Sequence, residues 1–383
     1  MRICVTPRLW IALGIVFAGA LSAQEPPDPA PPRLEAAGYV LLDFATGDVL
    51  VEENADTRLQ PASLTKLMTA YAVFSALDAG LIARDDPVYV SERAWRMRGS
   101  RMFIEVDTHV SVADLLQGLI VQSGNDASVA LAEHVAGSEE SFVELMNGYA
   151  AKLGMSNTAY RNSMGLPAKD HYSTARDSAV LARALIAEFP HYYALYSQRE
   201  FSYNDIWQRN RNALLWQDES VDGLKTGYTR DAGYCLVSSA ERAGMRLIAA
   251  VLGMDSAKAR TEGSQALLDF GFEAFETHKL YGRGEPVVEA RVWKGSPEMV
   301  EFGPTEDVYV TIPRGAYGAL SASLQLSSNL TAPLPADREV GEVTVSFRGH
   351  NLSREPLVAL RAVPEAGLWT RFKDGLMLWF EDD

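Results

Sequence analysis

Apolar and polar positions follow three different patterns along this chain. Between residues 34 and 276, short strands stand at both ends of a run of helical periods. Residues 38–44 and 48–52 read as strands, and Ala45-Thr46-Gly47 between them predicts a hairpin. From Pro61 to Phe74, alanines and larger apolar residues run on with little polar surface, which predicts a helix covered on most faces. Pro61 suits its mouth, where an amide hydrogen is not needed. Residues 87–90 and 103–106 predict short strands. Ser111 then caps a helix whose apolar positions include Val112, Leu115, Leu116, Leu119 and Ile120, and which breaks at Ser123-Gly124-Asn125. Asp126 opens another helix through Val135. Residues 138–153 predict a further one closed by Gly154, and residues 174–189 one stopped by Pro190. Strands at 233–240 and 246–253 flank the turn Arg242-Ala243-Gly244, and helical spacing returns over 257–275.

The pattern changes near Thr277. From 277 to 364 strands dominate, at 287–293, 308–313, 320–326, 341–347 and 357–362, punctuated by Gly and Pro, so this stretch predicts a small all-β domain. It changes again over 365–383. There Leu368, Trp369, Phe372, Leu376, Trp379 and Phe380 fall on one helical stripe, with Arg371, Lys373 and Asp374 off it, which predicts an amphipathic helix. At the other end, Arg2 and Arg8 precede or open an apolar stretch from Leu9 to Leu21 followed by small residues. Residues 1–23 therefore predict a secretory signal peptide, cleaved after Ala20 or Ala23. Residues 24–33 carry five prolines and predict an extended linker.

Composition narrows the function. The chain has 383 residues, 47% hydrophobic and 22% charged, as expected of a folded protein of more than one domain. Its net charge of −15 argues against a nucleic-acid partner, because phosphate binding needs concentrated positive charge. Of its two cysteines, Cys4 lies in the signal, which leaves Cys235 alone and excludes an intramolecular disulfide. The histidines show no ligand spacing, so no metal or other cofactor is implied.

Two polar residues intrude on the apolar helix at 61–74. Ser63 and Lys66, three apart, share one helix face. A lysine among apolar neighbours at the positive end of a helix dipole loses proton affinity. Neutral, it can take the proton of a serine hydroxyl, which is a poor nucleophile without such a base. This pattern predicts an acyl-transfer centre. A Ser-x-x-Lys tetrapeptide nonetheless arises about once by chance in a chain this long, so it needs support. Ser123-Gly124-Asn125, at a helix–helix junction, can present both side chains outward. Ser123 could relay a proton to a leaving group and Asn125 hold a substrate backbone. Lys225-Thr226-Gly227 precedes a strand, and an edge strand there could pair with substrate while Lys225 and Thr226 meet a carboxylate.

Taken in order, Ser63-x-x-Lys66, Ser123-Gly-Asn125 and Lys225-Thr-Gly227 resemble the penicillin-binding proteins and serine β-lactamases. The longer stretches at 62–69, 123–132, 210–212 and 221–229 resemble the D-alanyl-D-alanine carboxypeptidases of low molecular mass. The resemblance implies an α+β fold: a penicillin-binding, β-lactamase-like domain (34–276) with an antiparallel sheet and helices on both faces, a small all-β domain (277–364) and a C-terminal helix (365–383). It implies Ser63 as nucleophile, Lys66 as its base and Ser123 as a further catalytic residue. Asn125, Lys225, Thr226 and Gly227 would bind substrate. Backbone N–H groups of Ser63 and Tyr228 would form the oxyanion hole, and Arg260 would meet the terminal carboxylate. The implied substrate is a peptidoglycan stem pentapeptide, and β-lactam antibiotics would acylate the same serine. The implied location is the periplasm, peripheral on the outer face of the bacterial inner membrane through the C-terminal helix. One departure stands out: where the family often has a histidine before Gly-Leu, this chain has Met164-Gly165-Leu166, which bears on deacylation. Serine β-lactamase activity, D,D-endopeptidase activity and a non-catalytic wall-binding or morphology role remain open alternatives at this point.

Overall fold

The computed structural model describes residues 30–381 and residues 3–4, so the rest of the signal and most of the proline-rich linker lie outside the described residues. The chain divides into two compact units, one holding residues 30–273 and the other residues 274–383.

In the first unit, five strands among the described residues form an antiparallel sheet. Their spatial order is Val49–Glu53, Gly38–Asp43, Met245–Met254, Gly233–Arg242, Val221–Thr229. Of the three interior strands, Gly38–Asp43 and Met245–Met254 are buried without alternation because both faces are covered. On one face, Val40, Leu42, Ile248, Ala250 and Leu252 join the core that holds the helix Thr65–Asp78. On the other, Leu41 and Leu247 press against Gly271 of the helix Ala257–Ala274, where a side chain on Gly271 would collide with both. Thr65–Asp78 is buried from Thr65 to Phe74 without a break, as its lack of a polar face requires. It is entered through a tight turn, Ala62–Leu64, that carries Ser63.

Three of the expected helix starts are built as side-chain caps. Ser111, Ser138 and Thr174 accept hydrogen bonds from the amides of Asp114, Ser141 and Asp177. Residues 103–106, however, do not form a strand. Phe103 has a φ of +70°, and the amides of Met102, Phe103 and Ile104 donate to the Asp126 carboxylate instead of to a neighbouring strand. The partner of Pro87–Tyr89 is His109–Ser111. A hairpin, Glu200–Tyr203 with Ile206–Arg209, has no counterpart in the sequence reading.

The second unit is largely β. Val288–Arg291, Met299–Pro304, His350–Ala359, Glu339–Phe347 and Leu320–Leu326 are successive antiparallel neighbours. The pair Phe275–Tyr281 and Val308–Pro313 packs Tyr281, Val308, Val310 and Ile312 against Leu320, Val343, Val345 and Leu357. The strand expected at 357–362 begins earlier and ends at Ala359, and Phe275–Tyr281 and Met299–Pro304 are additional strands. Leu368–Glu381 is a helix held to this unit by a polar contact. Asp374 is fully buried, and its carboxylate accepts from Arg291 at 2.9 Å and from the Lys294 amide at 2.7 Å. Leu368, Trp369, Phe372, Leu376, Met377 and Trp379 are exposed. Among the described residues, no helix is long and apolar enough to cross a membrane.

Candidate active site

Three segments of the first unit converge on one cavity of about 490 Å³, lined by Ser63, Ser123, Asn125, Thr226, Tyr228 and Arg260 among others. Ser63 stands just before the first turn of the buried helix, and Lys66 one turn further in. The Lys66 amine, 1% exposed, lies 2.7 Å from Asn125 Oδ1, 2.7 Å from the Met164 carbonyl and 3.2 Å from Ser63 Oγ. Burial lowers the Lys66 pKa to about 7, opposed by the Asp126 charge and assisted by Arg211. A neutral amine has two N–H groups and one lone pair. The two short contacts accept its N–H groups, which leaves the lone pair for the Ser63 hydroxyl.

Ser123 ends the helical stretch Gly118–Gln122 in a left-handed conformation, φ +65°. Such a conformation is costly for a residue with a Cβ, and neighbouring bonds hold it. The Gly124 amide donates to Gly118 O, and the Asn125 amide donates to Ser100 O at 2.7 Å. The expectation that Ser123 and Asn125 point outward needs correction. They are 3% and 4% exposed and turn into the cleft, because Asn125 is tied to Lys66 and, through Nδ2, to Arg98 O at 2.6 Å. Ser123 Oγ is buried at the cavity wall with no hydrogen-bond partner among the described residues.

The third wall is the sheet edge Val221–Thr229. Gly227 approaches the Ser63 turn so closely that a Cβ there would lie 3.1 Å from Pro61 O and 3.3 Å from Ser63 N. Lys225 is 3% exposed and its amine donates to Thr226 O at 3.2 Å. Burial, then Lys66, Arg211 and Arg260, pushes its pKa well down. Tyr228, 55% exposed, packs against Tyr234 of the neighbouring strand, with ring centroids 4.3 Å apart and the planes tilted by 32°. Arg260 is 7% exposed, sits over Tyr234 at 5.9 Å, and its Nε has no hydrogen-bond partner among the described residues. Arg211 also lines the cavity, a residue to which the sequence reading gave no role. Its signal was the Asn210-Arg211-Asn212 tripeptide: Asn212 is fully buried and donates to Gly223 O, which ties this segment to the edge strand. Met164, where the sequence resemblance implies a histidine, supplies a backbone carbonyl to Lys66. Among the described residues no group of three or more His, Cys, Asp or Glu side chains is placed to hold a metal ion.

A buried amine beside a serine hydroxyl, in a cleft bounded by an edge strand and further cations, defines a serine enzyme of the acyl-transfer class. A family model described as D-alanyl-D-alanine carboxypeptidase matches residues 24–256, and one described as the C-terminal domain of penicillin-binding protein 5 matches residues 275–365. The chain belongs to the D-alanyl-D-alanine carboxypeptidase family. It is 46% identical to the D-alanyl-D-alanine carboxypeptidase DacC of Escherichia coli, over 91% of this chain and 89% of the relative. It is 38% identical to DacF of Bacillus subtilis, over 88% of this chain and 91% of that one. The crystal structure of penicillin-binding protein 5 from Haemophilus influenzae matches with a TM-score of 0.83 at 42% identity, covering 88% of this chain and all of that one. Penicillin-binding protein D2 of Listeria monocytogenes in its ampicillin-bound form matches with a TM-score of 0.59 at 32% identity, covering 64% of this chain and 100% of that one.

Proposed function

We propose that this protein is a serine-type D-alanyl-D-alanine carboxypeptidase that removes the terminal D-alanine of peptidoglycan pentapeptides through an acyl-enzyme on Ser63. The observation that carries the reading is the buried Lys66 amine, 2.7 Å from Asn125 Oδ1 and from the Met164 carbonyl and 3.2 Å from Ser63 Oγ, an arrangement that in the neutral form aims its lone pair at the Ser63 hydroxyl. Lys66 Nζ takes the hydroxyl proton as Ser63 Oγ attacks the carbonyl of the penultimate D-alanine. The backbone N–H groups of Ser63 and Tyr228 stabilise the oxyanion. Ser123 Oγ, free of other partners, passes a proton to the departing D-alanine amine. Water then hydrolyses the ester. Substrate lies along the strand Val221–Thr229, held by Asn125, Thr226 and Gly227. Its terminal carboxylate meets the guanidinium groups of Arg211 and Arg260, with the buried Lys225 amine as a further hydrogen-bond donor. A penicillin presents a strained amide to the same serine, and the ampicillin-bound Listeria relative supports that class of inhibitor. The curated relatives cited above bear carboxypeptidase names, which favours peptide hydrolysis over a β-lactamase reading.

The enzyme works in the periplasm after removal of a signal peptide at 1–23, lying on the outer face of the inner membrane. The exposed side chains of Trp369, Phe372 and Trp379 support that placement. Release of D-alanine from a synthetic pentapeptide, assayed beside labelling by a fluorescent penicillin, tests the reading. Wild type should do both, and Ser63→Ala neither. Normal labelling of Ser63→Ala would remove that residue from the mechanism.

A further inference from the structure

We infer that Glu139 is a positioning residue for the Lys66 amine, acting through the loop at 161–166. Glu139 sits in the first turn of the helix Glu139–Lys152, where the dipole favours a carboxylate. It faces inward and is 5% exposed. One carboxylate oxygen accepts from the Ser163 amide at 2.9 Å and from the Ser163 hydroxyl at 2.8 Å, and the other is paired with the Arg93 guanidinium. The Ser163 carbonyl in turn accepts from Thr69 Oγ at 2.5 Å and from Ser128 Oγ at 2.8 Å. Every polar group of Ser163 is therefore fixed, and Glu139 holds two of the three.

The next two residues carry that fixation to the chemistry. The Met164 carbonyl accepts from Lys66 Nζ at 2.7 Å. Gly165, with φ +87°, lies so close under the Ser63 turn that a Cβ would fall 1.8 Å from Ala62 O. If Ser163 slips, the Met164 carbonyl leaves the amine. An N–H of Lys66 is then free to turn toward Ser63 Oγ, and the lone pair no longer faces the hydroxyl proton. The charged groups facing Lys66, Asp126 and Arg211, together with Lys225 nearby, stay in place, so the change is one of aim and of a lost acceptor for the protonated amine, which lowers its proton affinity.

This inference rests on the proposed Ser63–Lys66 acyl transfer, and the experiment separates the two. The limiting rate of acylation by a penicillin, and its dependence on pH, would be measured for wild type, Glu139→Ala, Glu139→Gln and Glu140→Gln. Glu139→Ala removes the acceptor for Ser163. Glu139→Gln keeps a carbonyl oxygen for Ser163 while losing the charge. Glu140, 70% exposed by its side chain, pairs with Arg93 without touching the loop. Glu139→Ala should lose about tenfold or more in the limiting rate, with penicillin affinity little changed, and its acid limb should move to lower pH. Glu139→Gln should stay within about threefold of wild type, and Glu140→Gln should match it. Glu139→Ala acylating at the wild-type rate with an unmoved limb would overturn the inference. So would Glu139→Gln falling as far as Glu139→Ala, which would make lost charge the cause. Should Glu139→Ala not fold, Glu139→Asp, which withdraws the acceptor by one methylene, should show the same loss, and an unchanged rate would overturn it. Failure of wild type to acylate at Ser63 would sink the parent reading instead.

Discussion

At the scale of single residues, the central quantity is the proton affinity of one amine. Burial is the largest influence on Lys66 and removes charge from it. Asp126 works the other way, and Arg211 adds to the depression. The form that can accept the Ser63 proton therefore predominates above about pH 7. On the proposed roles, acylation by a penicillin should rise with pH through a single ionisation there. Replacing Arg211 with Gln removes a nearby cation, so that ionisation should move to higher pH. Stopped-flow acylation across about pH 5 to 9 checks both, and a flat profile in wild type would count against Lys66 as the base. Ser63 and Lys66 were legible from spacing, because a charged residue within an apolar helix is conspicuous. Ser123 was less so. Its left-handed backbone follows from the bonds of Gly124 and Asn125, which no tripeptide spells out. Arg211 was hidden, since an arginine beside asparagines in a loop reads as solvated until Asn212 is seen buried.

At the scale of elements, the caps and the both-faces-buried strands were written in the residues. The segment at 103–106 was not. Its apolar residues suggested a strand, but Asp126, more than twenty positions away, captures three successive amides and bends the backbone. The strand Met299–Pro304 did carry a signal, with Val300 and Phe302 buried on either side of exposed Glu301. His171 ties the loop at 161–166 to the start of the active-site helix. The Arg161 amide donates to its Nδ1, so Nε2 carries the proton and donates to Thr65 Oγ at 2.9 Å. Burial, with Arg161 nearby, lowers its pKa from 6.5 to about 4. The unfolded chain thus binds a proton that the folded one refuses between those values. This contribution to stability is complete above about pH 6.5 and is lost as pH falls toward about 4. The loss should be on the order of 3 kcal/mol, and His171→Gln should flatten that part of the stability–pH curve. Urea unfolding at a series of pH values measures it. A wild-type curve level across this window would refute the assignment.

At the scale of the whole molecule, catalysis and the proposed membrane attachment fall on different compact units, so they should be separable. The cavity is built wholly from residues of the unit 30–273. The exposed aromatic stripe belongs to the unit 274–383, and there the buried Asp374 determines which way the helix faces. A helix docked through its apolar face would hide Trp369 and Phe372, whereas docking through one carboxylate leaves them 79% and 68% exposed. Moving such a ring into the interfacial region of a bilayer contributes roughly 1.5–3 kcal/mol. The double variant Trp369→Ala, Phe372→Ala should therefore lower partitioning onto phosphatidylethanolamine–phosphatidylglycerol vesicles by roughly a hundredfold or more. The helix lacks a strongly basic polar face, with Arg371 engaged by Glu365, so added salt should weaken binding only slightly. Release of D-alanine from a soluble pentapeptide should stay within about twofold of wild type, because the unit that holds Ser63 is untouched. Flotation of both proteins with vesicles, beside the peptide assay, reads the two properties independently. Equal flotation of wild type and double variant would remove the stripe from membrane attachment and leave the carboxypeptidase reading intact.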